Sequence, residues 1–261
     1  MPLNYQQVLD ALKDAGNEQT REAHRLRGAS PNLFGVSTAD LARLKAEVGV
    51  NHEIARRLWS TGNEDARIFA TMVADVAALL PDEAERWVVS ERWHVVLDAF
   101  GDLVARTEYA RDKALAWIDS EDERMGRAGW RVIAALAGSK NKIDDEFFGG
   151  LLRRIVPGIH GAPNGVRDAM NNALIAIGVR NAALEKLAVA AAKKIGKVHV
   201  EHADPKAVTP DAAEYIATVS AYRSKKPAAK GKAPANGAAK AGASAKGKKT
   251  QTPSRQVKAR G

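Results

Sequence analysis

The chain has no cysteine among its 261 residues, which excludes disulfides and thiolate metal centres. No apolar run approaches the roughly 20 residues that cross a bilayer. The opening MPLNYQQVLDALKDAG lacks the basic start and unbroken apolar stretch of a secretory signal. No membrane association is expected from such a chain, and a cytoplasmic location is. Runs of β-branched residues are short, and no Asn-Gly turn separates alternating apolar and polar residues, so nothing announces a sheet. A Ser/His/Asp set, a phosphate-binding P-loop and a dinucleotide fingerprint are all missing.

Acidic residues are absent from 224–261, a stretch that holds nine Lys and two Arg. Residues 1–223 carry 29 basic and 31 acidic side chains, a charge of −2, so the net +9 belongs to the end of the chain. That end, SKKPAAKGKAPANGAAKAGASAKGKKTQTPSRQVKARG, has almost nothing to bury and is expected to be disordered. It suits binding to nucleic-acid phosphates by counterion release, with Lys225, Lys226, Lys248 and Lys249 among its contacts. The part before it must attract a polyanion by local clustering, because its overall field is not positive.

Residues 1–223 read as helix throughout. Starts are signalled at Ser37-Thr38 with Asp40 following, at Pro81-Asp82-Glu83 and at Asp144-Asp145-Glu146. Breaks are expected at Pro31, Gly62-Asn63, Gly138-Ser139, Pro157-Gly158, Gly161–Gly165 and Gly178. EDARIFATMVADVAAL, RMGRAGWRVIAALAG and NGVRDAMNNALIAIG each place an Arg near a helix start, ahead of an apolar stripe. Repeated amphipathic helices of that kind bury their faces against one another in a solenoid. Their first turns can present Arg side chains and free backbone N–H groups to phosphate.

The segment ERWHVVLDAFGDLVARTEYA (91–110) concentrates chemistry-bearing residues. Trp93, Leu97, Phe100 and Val104 form a 4-3-4 stripe, the spacing of a core face. His94, Asp98 and Asp102 occupy the neighbouring face, where a metal is conceivable but a solvated face is the expectation. No metal site is assigned. Trp59, Trp87, Trp117 and Trp130 fall within amphipathic patterns and are expected in the core. His160, in PGIHGAPNG, reads as a loop histidine, and His199 and His202 match no metal-ligand spacing.

LFGVSTADLARLKAEVG (33–49), LWSTGNEDARIFA (58–70), RWHVVLDAFGDLVARTEYA (92–110), RAGWRVIAALA (127–137) and VRDAMNNALIAIGVRNAAL (166–184) resemble, in order and spacing, the AlkD-type family of DNA alkylation repair proteins. The resemblance covers roughly residues 20–195. It implies an all-α solenoid of HEAT-like repeats with a concave DNA-binding face, here 1–223, followed by the basic segment 224–261. It also implies a cradle of one Trp, a carboxylate four residues on, and a second Trp on a later helix. There the aromatics hold a cationic base, and the acid stabilises charge developing on the sugar.

Carried over residue by residue, the first Trp is Trp93, the carboxylate position holds Leu97, and the second Trp position holds Asn172. At 100° per residue Asp98 lies about 140° from Trp93 and does not replace the missing acid. The basic positions Arg127, Arg167 and Arg180 match, and the resemblance sends them to DNA phosphates. The expected protein is a monomer that binds damaged, bent or branched DNA without a cofactor and without catalysis. Two alternatives remain: a glycosylase for cationic 3- or 7-alkylpurines, and a helical-repeat protein scaffold.

Overall fold

The computed structural model describes residues 3–225, with side chains through Arg223. Lys226, Lys248 and Lys249 lie outside the described residues, as does the side chain of Lys225, so their expected role rests on sequence. Thirteen α-helices and no strand occur among the described residues, apart from one bridge between Gly16 and Val36. Helices α1 (Tyr5–Asp14), α2 (Glu18–Leu26) and α3 (Thr38–Val48) open the chain. Four pairs follow, beginning with α4 (His52–Ser60) and α5 (Glu64–Val73), then α6 (Pro81–Val89) and α7 (His94–Val104). The next are α8 (Ala110–Ile118) with α9 (Glu123–Gly138), and α10 (Asp145–Gly158) with α11 (Asn164–Gly178). Helices α12 (Ala182–Ile195) and α13 (Ala212–Lys225) end the described chain.

The second members pack in series, α5 on α7, α7 on α9 and α9 on α11, forming an inner row. The first members lie outside it, and α12 packs against both α10 and α11. This is the HEAT-like repeat solenoid. None of its described helices is long and apolar enough to cross a membrane.

Local chemistry explains the boundaries. Ser37 caps α3 by accepting from the Asp40 N–H, Pro81 fills the first turn of α6, and Asp144 accepts from Phe147 N–H at the start of α10. The break expected at Pro157-Gly158 is where α10 ends. Pro157 sits in the last turn of α10, which runs to Gly158 and passes into a 3₁₀ turn, Ile159–Gly161. Proline removes a single donor there, and the carbonyl four residues back belongs to exposed Arg153, where water can replace it.

The core runs continuously between the two rows of helices. Trp59 and Trp87 stack with centroids 4.4 Å apart, and Phe100 links them to Trp117 at 6.0 Å. Each such pair adds roughly 0.5–1.5 kcal/mol beyond its area burial and ties one repeat to the next. Trp59, Trp87, Trp117 and Trp130 are all buried, as their spacing indicates, and so are Trp93, Leu97, Phe100 and Val104.

Candidate nucleic-acid interface

Trp93 is the N-cap residue of α7, with an extended backbone. The carboxylate of Glu91 fixes this entry: Oε1 accepts from the N–H groups of Arg92 (2.6 Å) and Trp93 (2.7 Å), and Oε2 from Arg67 (2.9 Å). The indole N–H of Trp93 donates to the Arg27 carbonyl at 3.0 Å, and its ring lies 5.2 Å from that of His24. Helix α2 and the turn after it thus wall the tryptophan in, leaving it 3 % exposed. A base has no open aromatic face to stack upon. Leu97 shares that core, 2 % exposed.

The other face of α7 stays half-exposed at His94, Asp98 and Asp102, and the two carboxylates there meet arginines of α9. Asp98 takes two hydrogen bonds from Arg127, both 2.9 Å, and Asp102 takes two from Arg131, at 2.9 and 2.6 Å. Gly101 makes the approach possible, since a Cβ there would fall 2.6 Å from Arg131 Cγ. Arg127 also donates to Asp168 of α11 at 3.0 Å and to the Gly165 carbonyl at 3.1 Å, so one guanidinium joins three consecutive inner helices. Asn172 adds a long contact to Asp168, 3.4 Å.

Burial works against the charge on Arg127, but Asp98 and Asp168 outweigh it and hold its pKa above the ordinary value. Burial pushes the Asp102 carboxyl up, only partly offset by Arg131. His94 is driven the other way: burial and then Arg127 lower its pKa, which keeps the imidazole neutral near pH 7. Counted formally, two carboxylates and one guanidinium give the Asp98–Arg127–Asp168 cluster a charge of −1. Asp98 and Asp102 commit their carboxylates to arginines, and no group of three or more His, Asp or Glu placed to hold a metal occurs among the described residues.

The other two arginines assigned to phosphate are also spent on the protein. Arg180 donates to the carbonyls of Ala137 (3.0 Å), Ser139 (3.0 Å) and Ile143 (3.2 Å), and lies over the Phe148 ring. It thereby satisfies the open end of α9 and shapes the following loop. Arg167 donates to the carbonyls of Ala162 and His199, each at 2.9 Å. Arg67 and Arg124 follow the same rule, reaching the carbonyls of Ser90 and Val89. Arginines near the ends of the inner helices thus fasten neighbouring segments, while the reading of Arg127, Arg167 and Arg180 as phosphate contacts stays an expectation drawn from the resemblance.

Residues 196–211, between α12 and α13, form a strap that the sequence did not reveal. Glu201 pairs with Asn164 through two hydrogen bonds of 2.8 and 2.9 Å, and Pro210 O accepts from Asn171 at 3.0 Å. Between these anchors His202 meets Thr209 at 2.9 Å, and Ala203 touches the turn after α2. There Gly28 has φ +85°, and a Cβ added to it would lie 3.3 Å from that of Ala203. From Glu201 to Ala203 the chain spans at most about 7 Å. The strap therefore closes the short gap between the start of α11 and the wall around Trp93. His160 fastens the 3₁₀ turn to the end of α12, 2.9 Å from the Ile195 carbonyl. Beside the Trp93 wall, Arg27 and Arg92 are exposed without a carboxylate partner among the described residues, two cations that no motif singled out.

A family model described as "DNA alkylation repair enzyme" matches residues 5–216. The chain belongs to the DNA alkylation repair enzyme family. Two uncharacterised Listeria proteins are similar across this family member's repeats. That of Listeria innocua is 26 % identical over 220 residues, covering 82 % of this chain and 96 % of the relative. That of Listeria monocytogenes is 24 % identical over the same shares. A solved structure matches with TM-score 0.80 and 28 % identity, covering 85 % of this chain and 95 % of its own. It is described as from a new family of proteins related to the HEAT-like repeat DNA glycosylases with affinity for branched DNA structures.

Proposed function

We propose that this protein binds damaged, bent or branched DNA through backbone contacts and does not excise bases. One observation carries the reading: Trp93 is capped by α2 and hydrogen-bonded to Arg27, so the aromatic platform of the cradle is closed. Leu97 and Asn172 at the other two cradle positions agree with it. The affinity for branched DNA attributed to the similar solved structure supports a ligand recognised by shape and not by base sequence. Titration with a forked and a linear duplex of equal length tests it. The fork is expected to bind more tightly, and equal or absent binding refutes the reading.

A glycosylase for cationic 3- or 7-alkylpurines is the second reading, favoured by one feature. The face of α7 turned toward α9 does carry an acid, Asp98, five residues after Trp93 and not four. Two hydrogen bonds from Arg127 already compensate its charge, which weakens it as a partner for a developing cation. Release of 7-methylguanine from duplex DNA separates the readings. The spontaneous rate is expected; release well above it, lost in Asp98→Asn, establishes the enzyme.

A further inference from the structure

Besides Arg27 and Arg92 beside the Trp93 wall, a second group of cations left free by the fold lies on α12 and α10. In α12 the buried stripe is Leu184, Ala188, Ala191 and Ile195. At 100° per residue, Lys186 and Lys193 lie opposite it, and Lys194 lies on the side of Leu187. Lys197 follows just beyond the helix end. Leu187 Cδ1 and the Arg153 guanidinium flank the same spot beside Gly149 of α10, each 3.8 Å from where a Cβ would lie, so Arg153 joins this flank. All five cations are exposed, and none has a carboxylate partner among the described residues. Between residues 186 and 200 the sequence contains no acid, and Glu185 is held by Ser220 at 2.8 Å.

We propose that Arg153, Lys186, Lys193, Lys194 and Lys197 form a phosphate track that holds a DNA backbone against the outer flank of α10 and α12. The proposal rests on the DNA-binding reading above and adds to it a surface distinct from the cradle. From Lys186 to Lys197 the row is about 16 Å long at 1.5 Å per residue. One strand of a duplex places a phosphate about every 3.4 Å, so the row faces roughly five. Lysine suits this work, because a hydrated ammonium on a flexible stem follows a backbone without demanding one geometry. Helix α13 brings the chain back beside the start of α12 through the Ser220–Glu185 contact, immediately before the segment that carries eleven positive charges.

The test compares two variants of the full chain with the same change in net charge, Lys193→Glu/Lys194→Glu and Lys140→Glu/Lys142→Glu. Lys140 and Lys142 are exposed in the loop before α10. Binding of forked and linear DNA is titrated against salt. The α12 variant is expected to lose at least tenfold in affinity, and its slope of log K against log salt to fall by about two units. The loop variant should lose far less. Equal losses overturn the track and leave net charge as the cause. A parent chain that binds neither DNA overturns the DNA-binding reading itself.

Discussion

The arginines near the ends of the inner helices and the lysines on the flank of α12 both concentrate positive charge, and they use it in opposite ways. Arg67, Arg124, Arg127, Arg167 and Arg180 turn inward and satisfy carbonyls or carboxylates of neighbouring segments. Lys186, Lys193, Lys194 and Lys197 stay in water without such partners. The chemistry of the two side chains explains the division. A guanidinium offers five donors in a rigid plane and can serve several acceptors at once, whereas an ammonium is compact and strongly hydrated. A basic residue therefore does not become a DNA contact by its charge alone; it must first be left free by the fold.

Arg127→Ala is the most damaging way to break this comparison. It leaves Asp98 and Asp168 facing each other, and removal of one partner from a buried ionic cluster costs about 3–5 kcal/mol. Denaturant unfolding measures it. Leu97→Asp belongs in the same range, because it puts an unpaired carboxylate into the core, so that restoring the family's acid at this position should unfold the protein and not activate it. Arg180→Ala should cost about 2–3 kcal/mol, the sum of several modest hydrogen bonds. Arg180→Lys should recover little of that, since one ammonium cannot cap carbonyls spread from 137 to 143.

The repeats were legible because caps and stripes are local. Ser37, Pro81 and Asp144 announce their helices, and the Trp93–Leu97–Phe100–Val104 stripe announces its burial. The working face was not legible for two reasons. Which face of α7 is buried follows from spacing, but what the opposite face meets depends on Arg127 and Arg131, 29 residues further on. The fates of Arg167 and Arg180 depend on where the strap and the loop after α9 lie, which no local pattern encodes. The strap itself, KVHVEHADPKAVTP, has neither a helical nor a strand period and passes for an ordinary linker.

Smaller effects sharpen the picture. Lys193→Ala/Lys194→Ala should leave the free energy of unfolding within about 0.5 kcal/mol of the parent, as exposed unpaired residues do. Glu64 is the reverse case of a charge buried at a cost. Burial, and then Glu91, push its carboxyl above the ordinary 4.5, and Oε2 has no hydrogen-bond partner. The folded state then holds this proton more tightly than the unfolded state, so Glu64 costs stability as pH rises through its raised pKa. Glu64→Gln should raise the melting temperature at pH 7, and the gain should vanish below about pH 4. His94 acts with the opposite sign. Its lowered pKa means that stability is lost as pH falls below the ordinary 6.5, and His94→Gln should remove that part of the acid sensitivity.

The division between fastening arginines and free lysines is tested most directly by the salt dependence of DNA binding in Arg167→Ala. This arginine bridges two carbonyls at the edge of the strap, and its loss is the mildest to the fold among the three first assigned to phosphate. The slope of log K against log salt should equal that of the parent chain. A slope lower by about 0.9, the signature of one lost phosphate contact, would place Arg167 on the DNA and contradict the account.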